Sequence, residues 1–201
     1  MKRESEELYN TIYNGYVYSY IPVLFNLYQR IWVENTGGNE AAASHINHMP
    51  PNTIEAQVQG GPNMDVLYSG TMLKLTEPYI LEKPKTDRYL GIVLLDAYGT
   101  FVEMLGSCAV GGNEETKYAL VKKGYKGSLP DGSIKIEIPT ELVAILLRVR
   151  IYDEPGELEK SDELRKNVVV RSLSEYEKGI VNEPICTIGG QKKISYQTMY
   201  T

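Results

Sequence analysis

Histidine, cysteine and tryptophan are scarce in this chain, with two His, two Cys and one Trp among 201 residues. Cys108 and Cys186 sit in no C-x-x-C and have no ligand-spaced partners, so free thiols are expected rather than a disulfide framework or a structural zinc site. Basic charge is not in excess. Lys and Arg number 21 against 26 Asp and Glu, a net charge of −5, which argues against non-specific nucleic-acid binding because that requires a basic face. The nearest basic runs, Lys122-Lys123 with Lys126 and Lys192-Lys193, read as solvated loop charge. Long apolar runs are missing as well. Leu142 to Leu147 is far too short to span a bilayer, and the polar start Met1 to Glu7 is followed by no apolar signal-peptide core. The expectation is a chain that stays in the cytoplasm, with neither nucleic acid nor membrane as partner. Catalytic signatures are also lacking. Tyr68-Ser69-Gly70 lacks the first glycine of a nucleophile elbow, and the glycine-rich Gly106 to Gly112 lacks the Lys-Ser/Thr of a P-loop and its helix. No cofactor is expected.

What the chain has in abundance is tyrosine: 16 Tyr against 2 Phe. A tyrosine buries a ring while keeping a polar tip, which suits half-exposed sheets, pocket walls and interfaces. The length suits one domain with a substantial core.

The chain reads in four stretches. Residues 1–33 form a helical segment: Ser5 is placed to cap it, and Leu8, Ile12, Tyr16, Tyr20, Val23 and Leu27 recur at three- and four-residue steps. Pro22 lacks an N–H and clashes with the preceding turn, so two helical pieces are expected to meet near Tyr20-Ile21. Residues 34–63 are rich in Gly and Pro and read as a long loop, with a short helix expected around Asn39 to Ile46. Residues 64–182 carry strand signals: 66–75, 79–82, 89–96, 100–105, 118–122, 134–138 and 168–170, separated by Gly/Pro turns. Tyr89 to Asp96 is a nearly continuous apolar run, as in a strand buried on both faces, and Leu142 to Tyr152 is ambiguous but leans to strand. Glu157 to Lys166 is made of strong helix formers. Residues 183–201 read as a peripheral tail. The pattern predicts a mainly β fold, an antiparallel sandwich with flanking helices and an N-terminal helical segment.

Several segments, in order, match a known family. Pro62-Asn63-Met64-Asp65-Val66-Leu67-Tyr68-Ser69 resembles the Pro-Asn-x-Asp-Thr-Leu-Tyr-Ser signature of domain of unknown function 1254. Glu77-Pro78, Asp87-Arg88-Tyr89, Leu94-Leu95-Asp96-Ala97-Tyr98, Gly124 to Pro130, and Pro139-Thr140-Glu141-Leu142-Val143 with Arg148 resemble its later segments. The resemblance spans about Asn52 to Leu173, with Val66 and Glu141 departing from the usual Thr and Asn. It implies a jelly-roll-like sandwich and no settled reaction. The family's frequent companion, domain of unknown function 1214, has no counterpart in this sequence.

The candidate ligand-binding residues are Asn63, Asp65, Tyr68, Arg88, Asp96 and Arg148. The family-like segments carry them at expected strand starts or ends, so a charged cluster at a sandwich mouth is expected, with Asp65 within salt-bridge reach of Arg88 or Arg148. The competing reading is structural: Asn63 and Asp65 bond backbone amides at a turn, and Asp–Arg pairs hold strands together. His45 and His48 stand three residues apart, and with Glu40 or Glu55 as a third ligand they are the alternative metal site. The preferred reading is no metal: two ligands do not make a site, and their Gly/Pro-rich surroundings read as a loop in which substitution costs little. Two functional classes remain. In one, the domain binds a small polar or amphipathic molecule in a Tyr-lined mouth, with its hydrolysis as an extension. In the other it is a non-catalytic assembly module whose Tyr-rich surfaces, those of the N-terminal helix first, form a homo-oligomer.

Overall fold

Strand periodicity organises the molecule. In the computed structural model, residues 2–35, 46–49 and 63–180 are described, and helix α1 (Lys2–Asn35) leads into ten strands. They are β1 (Asn47–His48), β2 (Val66–Lys74), β3 (Tyr79–Lys83), β4 (Leu90–Asp96), β5 (Phe101–Gly106), β6 (Val110–Gly111), β7 (Thr116–Lys122), β8 (Ile134–Ile138), β9 (Leu142–Arg150) and β10 (Val169–Ser172). Helix α2 (Glu157–Lys166) precedes β10 and helix α3 (Leu173–Glu177) follows it. Among the described residues no helix is long and apolar enough to cross a membrane.

The strands form a six-stranded sheet, β1-β2-β9-β4-β5-β6, and a four-stranded sheet, β10-β3-β7-β8. Most pairs are antiparallel, but β5 with β6 and β7 with β8 run parallel, so both sheets are mixed rather than antiparallel as the turn pattern suggested. The two cases differ: only residues 107–109 separate β5 from β6, with Gly106 and Cys108 at positive φ kinking the backbone there, whereas the longer 123–133 loop carries the chain from β7 round to β8 in the same direction. The ambiguous 142–150 segment is a strand, and its alternation decides its orientation. Val143, Ile145, Leu147 and Val149 are buried, while their neighbours are half-buried or exposed. Their opposite numbers in β4 are Asp96, Leu94, Ile92 and Leu90, all buried. All of these but Asp96 form the main core with Leu81, Tyr118, Leu120 and Ile138 of the other sheet. Tyr118 is fully buried and its hydroxyl donates to the Val110 carbonyl at 2.7 Å, as a buried tyrosine requires.

Two sequence expectations need correction. Pro22 does not divide α1, which is helical throughout Lys2–Asn35. A proline removes one backbone bond without stopping the helix where water can solvate the freed carbonyl, and this stretch of α1 faces solvent on one side. His48 is not in an open loop: it lies in β1 against β2, pairs with Ser69 and is 1% exposed. The expected helix around Asn39 lies outside the described residues, apart from the buried, non-helical Ile46. His45, Cys186 and the tail lie outside them as well.

Candidate functional site: an arginine among tyrosines

The six-stranded sheet has a core face and an outer face. Antiparallel register sets Tyr68 of β2 opposite Arg148 of β9, and Arg148 opposite Gly91 of β4. Directly opposed residues share a face, and these three alternate away from the core. The Arg148 guanidinium lies 5.4 Å from the centre of the Tyr68 ring, within cation–π range. Gly91 leaves room on the other side: a Cβ there would meet the Tyr89 hydroxyl at 2.4 Å, so the Tyr89 ring crosses the strand where a side chain would stand. Tyr68 is in turn fixed by the Asn63 amide, which donates to its hydroxyl at 3.2 Å.

Arg148 is half-buried, its Nε is buried without a hydrogen-bond partner, and it forms no ion pair with any described residue. That is an unusual condition, because an arginine withdrawn from water ordinarily finds an acceptor. Two residues along, Arg150 stands on the same face, its guanidinium 5.4 Å from the Tyr152 ring. The Arg88 guanidinium lies 5.5 Å from that same ring.

The expected charged cluster does not form. Asp65 is exposed and makes no ion pair among the described residues; its role is a carbonyl that accepts from Ile151 N–H at 2.8 Å. Arg88 is buried and pairs instead with Glu157 of α2 at 2.7 Å and with Asp87 at 3.1 Å, while donating to Ser161 Oγ. It pins α2 to the start of β4. Asp96 lies at the other end of β4, about 20 Å away at strand rise, where its carboxylate accepts from the Tyr98 and Thr100 amides at 2.9 Å and shapes the turn into β5. Of the six candidates the structure brings together Asn63, Tyr68 and Arg148, and separates Asp65, Arg88 and Asp96. Tyr89, Arg150 and Tyr152 were missed. Their signal was available: once 142–150 is a strand, Arg148 and Arg150 at a two-residue step must share a face.

A second polar centre lies under β1. His48 Nδ1 is 2.9 Å from Ser69 Oγ, while its Nε2 is buried without a partner. Burial chiefly, and then the neighbouring Arg165 guanidinium, lower the His48 pKa to about 4. Arg165 donates to the Met49 and Tyr68 carbonyls at 2.6 and 2.9 Å, tying α2 to β1 and β2. Ser69 is fully buried, so the pair is closed to a substrate and acts as a fastening rather than a nucleophile with its base. Lys83, also buried, is satisfied by the Pro84 and Glu114 carbonyls at 3.0 and 2.5 Å. Among the described residues no three His, Cys, Asp or Glu are grouped to hold a metal.

The chain is similar in structure to the VPA0106 protein from Vibrio parahaemolyticus, with a TM-score of 0.64 at 16% identity, over 90% of this chain and 42% of that one. An uncharacterized protein from Burkholderia cenocepacia matches at a TM-score of 0.43 and 14% identity, over 79% of this chain and 42% of its own. This chain therefore spans less than half the length of either. No curated protein matches it. The family described as "Protein of unknown function (DUF1254)" matches residues 43–172, a stretch that includes Asn63, Tyr68 and Arg148, and the chain belongs to that family.

Proposed function

We propose that this domain binds a small amphipathic anion on the outer face of its six-stranded sheet. Arg148 is the charged contact, with Tyr68 and Tyr89 as aromatic walls and a jelly-roll-like sandwich as the scaffold. The observation that carries the reading is Arg148 itself, half-buried beside an aromatic ring with an unpartnered Nε and no acid paired to it among the described residues. Such a group is held at a cost to the free protein that an arriving carboxylate or phosphate offsets, because the planar guanidinium fork matches either anion. The flanking rings favour a ligand with an apolar body. Binding rather than hydrolysis is the reading the site supports, because the histidine described here is paired with a serine shut inside the core.

The test is titration of the protein with octanoate, benzoate and inorganic phosphate by calorimetry, beside the Arg148→Met variant, which keeps the apolar stem. Saturable binding of at least one probe is expected, weakened about tenfold or more in the variant, the equivalent of one charge-assisted hydrogen bond. The melting temperature of the variant should fall little, since the contact it loses is the cation–π contact with Tyr68, worth about 0.5–1 kcal/mol. Equal affinity in the variant, or no binding of any of the three probes, overturns the proposal.

A further inference from the structure

The N-terminal half of α1 meets almost none of the described residues. Leu8, Tyr9, Ile12, Tyr13, Tyr16 and Val17 are 53–67% exposed, although all are apolar or aromatic. The two contacts that α1 makes beside the turn between β4 and β5 are local. Tyr18 packs on Tyr98 with the rings tilted 53° to each other and their hydroxyls 2.8 Å apart, and Ile21 and Phe25 approach Gly99. Alongside the second half of the helix runs a groove of about 540 Å³, lined by Tyr18, Val23, Leu27, Arg30 and Tyr98 among others. One surface thus carries both an uncovered helix and a groove that accepts one.

We propose that this surface is closed by a second copy of the chain, the two α1 helices lying antiparallel about a dyad near Tyr18 and Ser19. The N-terminal half of each helix then fills the groove of the other. Such an interface is isologous, which is the form a two-fold dimer takes.

Two features select a second copy as the occupant. The first is charge. Glu6 and Glu7 lie in the early turns of α1 and Arg30 in a late one, all three are exposed, and none of the three side chains forms an ion pair with another described residue. Antiparallel pairing brings Glu7 of each copy level with Arg30 of the other, Tyr9 with Tyr28 and Tyr16 with Ile21. A parallel arrangement sets Glu on Glu and Arg on Arg. The second feature is area. At about 100 Å² for each partly exposed large side chain, the apolar residues of α1 and Tyr98 present on the order of 1000 Å². A stable interface needs roughly 800 Å² per partner. A patch of this size is uncommon on a monomer.

Light scattering on the full chain at micromolar concentration should return twice the 22.6 kDa chain mass. Tyr13→Glu with Tyr16→Glu should return the single-chain mass while keeping a cooperative melting transition, which should match that of the unmodified protein when both are diluted to monomer, because neither residue packs on the sheets. Arg30→Glu alone should weaken the dimer, and adding Glu7→Lys to it should restore it, since the swap re-forms both ion pairs. A single-chain mass for the unmodified protein overturns the proposal. So does a dimer that survives the two tyrosine substitutions, and a charge swap that fails to restore pairing overturns the antiparallel register.

Discussion

His48 shows how much the setting of one side chain matters. In sequence it is a histidine in a Gly/Pro-rich stretch, expected to be dispensable. In the fold it is buried and bonded to Ser69, with a pKa lowered to about 4 against an ordinary value of 6.5. The unfolded chain takes up that proton first as pH falls, so stability is complete above about pH 6.5 and is lost progressively down to about pH 4, by at most about 3 kcal/mol. Acidic groups act lower. Lys160, and then Arg88, hold Glu157 below its ordinary 4.5; burial works against the ionisation of Asp162, but Lys166 and Arg165 hold it below 3.8. Among the described residues the span from pH 6.5 to 5 therefore isolates His48. Urea midpoints should drop across that span in the unmodified protein and stay level in His48→Gln. An identical slope in both would remove the histidine as the cause. His48→Ala should cost about 1–3 kcal/mol, since it leaves a cavity and an unpaired Ser69 hydroxyl.

Helix α1 shows what an element does when local and long-range forces disagree. Pro22 leaves the Tyr18 carbonyl without its intrahelical donor, a penalty of about 3 kcal/mol in a helix interior, yet the helix runs on past it to Asn35, 34 residues in all. The second half is supported by the sheet and the first half extends from it. Pro22→Ala restores the missing donor, so amide exchange in residues 8–20 should slow several-fold, with exchange in β4 and β9 unchanged. Faster exchange after the substitution would show that the proline is required to shape the helix. Short elements are stabilised differently. Helix α3 has five residues and a full capping box between Ser172 and Glu175, and the Glu77 carboxylate accepts from the Ser174 amide at 2.9 Å. The Glu77-Pro78 pair of the family resemblance therefore serves the end of this sheet.

Across the molecule, side chains from α2 join the two ends of the chain's β region. Arg88 with Glu157, and Arg165 with the Met49 and Tyr68 carbonyls, link α2 to β4, β1 and β2. The N-terminal half of α1 takes no part in that framework. A chain lacking residues 1–17 should therefore keep the melting transition of the unmodified protein to within a few degrees when both are monomeric, while losing self-association. A large fall in melting temperature would mean that the helix supports the sandwich directly.

Strand positions were legible in the sequence because alternation and Gly/Pro turns are local, and the segments at 66–75, 79–82, 89–96, 134–138 and 142–152 all became strands. The family was legible for the same reason, since its motifs lie at strand starts and turns. Partners across strands were not. Asp65, Arg88 and Arg148 looked like one cluster, but register sends Arg88 to Glu157, leaves Asp65 in water and sets Arg148 beside Tyr68. Parallel pairing of β5 with β6 and of β7 with β8 was equally out of reach, because a loop's composition does not fix the direction in which the next strand returns. The residues set their own backbone preferences, whereas register and burial, which depend on residues far apart in the chain, set which arginine stands beside a tyrosine ring with no acid among the described residues and which histidine is shut away from water.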